Sequence, residues 1–197
     1  MKSPLHVSRA ESVYLYEVET QGLVLTGIGR EVEQGAERAR FERLMAEHER
    51  LVLRTALRLL GHVEDARDAA QEVFLKLHRN LARMEPGRDP RPWLYRVTVN
   101  VCHDLQRHRG QEELDENQAA DKPDPEAAAG LAEQRRLVEA GLRRLPEKER
   151  AAVVLRDIEG LTTREVAEIL GSSEATVRSQ IASARLKLRG FVGRKSG

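Results

Sequence analysis

Cysteine is almost missing from this chain. Cys102 is the single one among 197 residues, so an intramolecular disulfide framework is excluded and a reducing, cytoplasmic setting fits. Aromatic residues make up only 4%, which leaves Leu, Val and Ala to fill a core and favours packed helices. No apolar run approaches the ~20 residues of a membrane span, and the N-terminus lacks the basic-then-apolar layout of a secretory signal. Six histidines are scattered, and the adjacent Cys102 and His103 would point in different directions on a helix, so no metal-ligand spacing exists. Glycine-rich phosphate loops and a nucleophile–base pair marked by spacing are also lacking. The expectation is a soluble protein that is not an enzyme and has no cofactor, metal, small-molecule substrate or membrane insertion. With 40% hydrophobic and 33% charged residues, the chain can still bury one large core or two small ones.

Charge is distributed unevenly behind a net value of +1. Residues 36–109 carry +4 and residues 135–197 carry +6, whereas residues 110–134 hold eight acids against one lysine. The acidic stretch QEELDENQAADKPDPEAAAG has two prolines and no periodicity, which is the composition of a flexible tether between two basic segments. Basic segments of this kind suit a nucleic-acid partner.

In the first basic segment Phe41, Leu44, Met45, His48, Leu51, Val52, Thr55 and Leu59 recur at helical spacing over 36–60, and Gly61 ends that run. A second helix is expected from about Val63 to Met84, burying Ala66, Ala69 or Ala70, Val73, Phe74, Leu77 and Leu81. Three prolines and a glycine in residues 85–92 break it. A third helix is expected over 91–109, with Leu94, Val97, Val101 and Leu105 inward and Arg96, Asn100, His103 and Arg107 as a polar stripe. Trp93 opens it. An aromatic beside cations and amides is what single-stranded nucleic acid binding uses; a core tryptophan with a solvated face fits the same residues.

The second basic segment spells a helix-turn-helix. Thr162 and Glu165 have capping-box spacing ahead of Val166, Ile169 and Leu170, so a helix is expected over 161–170, and Gly171 stops it. Ser172 or Ser173 can cap the next helix, whose Val177, Ile181, Ala184 and Leu188 recur at 4, 3 and 4. Its other face carries Glu174, Thr176, Arg178, Ser179, Gln180, Ser183 and Lys187, side chains able to bond base edges or phosphates.

The order of DARDAAQEVFLKLHRNL, RPWLYRVTVNVCHDLQRHR, an acidic linker and LPEKERAAVVLRDIEGLTTREVAEILGSSEATVRSQIASARLKLR resembles the bacterial RNA polymerase sigma factors of the extracytoplasmic-function group. That resemblance implies an all-α chain of two small helical domains: a flexible extension over 1–35, sigma region 2 over 36–109, an acidic linker over 110–130, sigma region 4 over 131–192 and a tail over 193–197. It implies a protein that binds core polymerase through the clamp helices of the largest subunit and the flap, recognises promoter DNA and promotes strand opening. A cognate anti-sigma factor is a further expected partner.

By resemblance, Asp65, Asp68, Gln71, Glu72, Phe74 and Leu75 fall at the core-polymerase surface. Trp93, Arg96, Asn100, His103, Asp104, Arg107 and Arg88 fall at the −10 element. The −35 set is Ser172, Ser173, Glu174, Thr176, Arg178, Ser179, Gln180, Ser183, Arg185 and Lys187. The chain departs from the family's usual Phe-Arg-Gly-Asp loop before the Trp helix, and Gln180 and Ser183 stand where relatives often carry arginine. Residues 1–35 precede the family's usual start and show no helical stripe; a disordered extension is expected, with an added strand, a regulatory arm or an upstream start codon as alternatives. The rival function is a stand-alone helix-turn-helix regulator binding duplex operator DNA, which leaves the first basic segment unexplained.

Overall fold

A computed structural model describes residues 9–112 and 131–193, with side chains placed for 35–108 and 136–193. Among the described residues every regular element is helical. They are α1 (Arg9–Leu60), α2 (Val63–Asn80), a 3-10 turn (Leu81–Arg83), α3 (Arg91–Glu112), α4 (Leu131–Arg143), α5 (Glu147–Val153), a π turn (Val154–Ile158), α6 (Thr163–Leu170) and α7 (Glu174–Gly193). The chain divides into two units, Met1–Leu44 and Met45–Gly197. In the first, α1 carries an exposed Arg38–Glu42 pair at 2.9 Å. The second holds everything that follows.

The helix of α1 starts at Arg9, not near 36; residues 1–8 lie outside the described residues. No proline occurs between Pro4 and Pro86, so no residue of that span lacks the backbone N–H that the helical ladder uses. Of the stripe read from the sequence, Val52, Thr55 and Leu59 are buried while Met45 is exposed. The tether expected over 110–130 is helical through Glu112, and its remainder lies outside the described residues.

Gly61 ends α1 as expected. Its φ of +83° is a region where side chains with a Cβ are strained, and its N–H donates to Leu57 O at 2.8 Å. Glu64 and Asp65 then lie in the first turn of α2, where negative charge complements the helix dipole. α2 packs against α3. Ala66, Ala69, Val73 and Leu77 of α2 and Leu94, Val99 and Cys102 of α3 are buried. α2 stops at Asn80, four residues before the expected Met84, because Leu81–Arg83 tightens into the 3-10 turn. Burial pushes the Cys102 thiol pKa up to about 12, which makes this cysteine a packing residue and no nucleophile.

The second half is built on α7, against which α4, α5 and α6 all pack. Val177, Ile181, Ala184 and Phe191 form its buried side. Gly141 lets α4 approach closely, since a Cβ there would stand 2.8 Å from Leu188 Cδ2 and 3.2 Å from Phe191 Cδ1.

Candidate nucleic-acid interface

The helix-turn-helix is set by local chemistry at each end of α6. Glu165 N–H donates to Thr162 Oγ1 at 3.2 Å while Thr162 N–H donates to Glu165 Oε2 at 2.7 Å, so two amides that a helix start leaves without partners are satisfied reciprocally. The same hydroxyl and amide hold the Glu165 carboxyl below its ordinary range. Gly171, left-handed at φ 59° and ψ 39°, closes α6. Of the two candidate caps for α7 it is Ser173 that serves: its Oγ accepts from Thr176 N–H at 3.1 Å and its carbonyl from Val177 N–H at 3.0 Å.

The polar side of α7 falls into two halves. In the N-terminal half Ser173, Glu174, Thr176, Arg178 and Ser179 are exposed and Ser172 is half-buried, and Arg178 pairs with Glu174 one turn back, at 3.1 Å. Helix N-terminal residues of this kind reach base edges and phosphates in a major groove.

The C-terminal half differs from expectation. Lys187 Nζ donates to both Glu149 oxygens at 2.7 and 2.8 Å, and Ser183 Oγ donates to Glu149 Oε1 at 3.0 Å. Arg185 forms a two-pronged pair with Asp157 at 2.8 and 2.6 Å. Ser183, Arg185 and Lys187 therefore tie α7 to α5 and the π turn, while the Arg185 and Lys187 side chains stay 52% and 46% exposed. Gln180 is half-buried with its Oε1 enclosed.

α3 presents the other candidate surface. Asp89 Oδ1 accepts the Arg91 N–H at 3.0 Å and its carboxylate also holds the Arg91 guanidinium, which fixes the start of α3 after the proline loop and lowers the Asp89 pKa. Arg88 is exposed in that loop, beyond the turn at Gly87, and Trp93 is half-buried. Asn100, Asp104 and Arg107 are exposed, the last two paired at 3.1 Å. Arg96 and His103 are already engaged. Arg96 Nη2 donates to Glu168 O of α6 at 2.8 Å. His103 Nε2 lies 3.4 Å from Glu147 Oε1, near enough for an ion pair when protonated but outside hydrogen-bond geometry.

These are two of several links between the α1–α3 and α4–α7 halves. Glu159, just past the π turn, accepts from the Arg58 guanidinium and, at 3.1 Å, from the Tyr95 hydroxyl. Arg150 donates to Leu59 O, Arg143 O and Leu145 O, and its burial lowers its pKa. Arg58, Tyr95, Glu147, Arg150 and Glu159 escaped the sequence reading, since no local pattern marks them.

On α2, Asp68, Gln71 and Leu75 are exposed. Glu72 is half-buried and pairs with Lys76 at 3.6 Å; Asp65 is also half-buried. Phe74 is buried and supports this face from within. Its place in the apolar stripe already required that.

The Sigma-70 region 2 family matches residues 44–112, and the Sigma-70, region 4 family matches residues 135–188. The chain is 37% identical over 162 residues to the ECF RNA polymerase sigma factor SigE of Mycolicibacterium smegmatis, covering 79% of this chain and 63% of SigE. It is 34% identical over 161 residues to SigM of Mycobacterium tuberculosis, covering 80% and 79%. Among solved structures, CnrH in complex with the cytosolic domain of CnrY matches with a TM-score of 0.58 and 29% identity, over 80% of this chain and 90% of CnrH; CnrH is a sigma factor of Cupriavidus metallidurans. The sigma factor RpoE of Bartonella quintana, in complex with the anti-sigma factor NepR, shares the fold with a TM-score of 0.64 at 21% identity, over 78% and 97%. The first-half match accounts for the segment that a stand-alone regulator leaves unexplained. The chain belongs to the extracytoplasmic-function RNA polymerase sigma factors.

Proposed function

We propose that this chain binds core RNA polymerase, directs it to promoters carrying −10 and −35 elements, and promotes strand opening. The observation that carries the reading is the presence of both Sigma-70 regions, in order, on one chain. In this reading Asp65, Asp68, Gln71, Glu72 and Leu75 offer acid, amide and apolar groups to a basic protein surface, the clamp helices of the largest subunit, while the α4–α7 half meets the flap. Residues Ser172–Ser179 read the −35 duplex. Trp93, Arg96, Asn100, His103, Asp104 and Arg107, with Arg88 of the loop, take the unpaired −10 strand. Capturing bases that have left the stack makes the open state the better-bound one, so binding free energy opens the duplex with no bond made or broken.

The protein acts as no enzyme in this role and works in the cytoplasm, where polymerase and promoter are. Among the described residues no helix is long and apolar enough to cross a membrane. A protein inhibitor is the expected regulator, as CnrH is seen with the cytosolic domain of CnrY. The test is Asn100→Ala in the reconstituted holoenzyme. Closed-complex formation should persist while permanganate reactivity of unpaired thymines falls; wild-type reactivity would overturn the assignment of α3.

A further inference from the structure

A cavity of about 390 Å³ opens between the C-terminal half of α7 and the end of α4. Gly141, Leu145 and Phe191 are buried and make its floor, while Arg144, Leu186, Lys187 and Gly190 are exposed around it. Leu186 is 71% exposed, the most of any large apolar side chain among the described residues, and covering it is favourable in proportion to the apolar area taken from water. The Arg144 guanidinium lies 4.6 Å from the centre of the Phe191 ring, and a guanidinium stacked in this way keeps its N–H edge for a carboxylate. Lys187 still has 46% of its side chain exposed beside Glu149. An apolar side chain flanked by carboxylates fits such a seat.

The connector between α3 and α4 has that chemistry. Its residues 113–130 lie outside the described residues. Leu114 is their one large apolar side chain, with Glu112 and Glu113 before it and Asp115 and Glu116 after it. Both attachment points are close to the cavity. α4 begins at Leu131, about 15 Å of helix before Gly141. α3 meets Glu147 at His103, two residues beyond Leu145 of the floor, and ends at Glu112, about 14 Å of helix later. An unattached chain as long as this connector spans about 23 Å r.m.s., and a link of that length supplies an effective concentration in the millimolar range. One buried leucine and a few individually weak surface ion pairs therefore suffice to fill the seat within the chain.

We infer that Leu114 of the chain's own acidic connector seats in this cavity, with its flanking acids against Arg144 and Lys187. The seated connector covers the exposed apolar surface of α7 and brings carboxylates to the basic half. A partner that takes the cavity or the connector has to displace this contact, so its apparent affinity falls with the unseated fraction.

The test uses the full chain. Cys102 is buried and its thiol pKa is pushed up to about 12, so a nitroxide reagent labels an Asn117→Cys variant at the new cysteine alone. Paramagnetic relaxation should then be strong at the amides of Leu186 and Gly190, and its absence would overturn the seat. Adding Leu114→Asp should abolish it even though the change supplies another acid; unchanged or stronger relaxation would mean attraction by charge alone and would overturn the anchor. Gly190→Leu blocks the cavity from its edge, and a Cβ there meets nothing within 4 Å, so the helices keep their packing while relaxation at Leu186 should be lost. Relaxation that survives this block would overturn the site.

In a mixture of spin-labelled chains with isotope-labelled chains that carry no spin label, the isotope-labelled amides should be unaffected. Relaxation there would put the connector on a second copy and overturn the seat within one chain. If Gly190→Leu loses helical circular dichroism, Leu114→Asp decides alone, since it alters no residue of the cavity.

Discussion

Arg178→Ala and Lys187→Ala separate DNA contact from helix anchoring, although both residues are cations on the polar side of α7. Arg178 pairs with Glu174 at 3.1 Å, with side chains 63% and 46% exposed. A pair so exposed contributes a few tenths of a kcal/mol, so the guanidinium can turn to a base edge or phosphate at small cost. Its loss should remove about 1–3 kcal/mol of promoter binding, roughly five- to 150-fold, and leave thermal stability near wild type.

Lys187 is held by both oxygens of Glu149, whose side chain is only 16% exposed and which also accepts from Ser183. Deleting it leaves a poorly solvated carboxylate with one neutral donor. After a discount for the partial exposure of Lys187, that costs about 1 kcal/mol, or about 2–4 °C in melting temperature for a chain of this size. Promoter affinity should change less than about threefold, since no phosphate contact is removed. The assay is anisotropy of holoenzyme on a labelled promoter duplex over a salt series, beside thermal melts of the free chain. Arg178→Ala should also flatten the salt slope by about 0.9 if its partner is a phosphate. A Lys187→Ala variant that loses as much affinity as Arg178→Ala, with an unshifted melt, would refute the division of α7 into reading and anchoring halves.

Thr162→Ala removes the capping box and should destabilise the chain by about 1 kcal/mol in thermal melts. Because Thr162 donates to Glu165, the folded Glu165 pKa lies below its ordinary value of 4.5; the linked stability is present above 4.5 and is lost as pH falls through the lower folded value. The variant should therefore lose less melting temperature than wild type on acidification below that point, and parallel pH profiles would contradict the assignment. Gly141→Val should destabilise by about 1–3 kcal/mol, because its Cβ would meet Leu188 and Phe191 and force α4 away from α7; a melt like that of wild type would mean that the helices can separate freely.

What the sequence made legible was local. The capping box at Thr162, the left-handed Gly171 and the stripe of Val177, Ile181 and Ala184 each need only neighbouring residues and each appears in the structure, with Leu188 half-buried and Phe191 completing the buried side. Periodicity says which side of a helix is polar but not whether that side faces solvent or the acids of another helix. For that reason the pairing of Ser183 and Lys187 with Glu149 and of Arg185 with Asp157 was not legible in the sequence. The same limit hid Glu159, whose partners lie 101 and 64 residues away. Over 9–34 no apolar stripe exists, so pattern had no purchase on a segment whose backbone is helical.

The most direct measurement of the promoter-directing role is in vitro transcription with core polymerase on a library of randomised promoters. The account predicts transcripts that depend on this chain and share two sequence elements at a fixed spacing, one for α3 and one for the N-terminal half of α7. Absence of chain-dependent transcripts, together with tight binding of the chain alone to a duplex site, would contradict it.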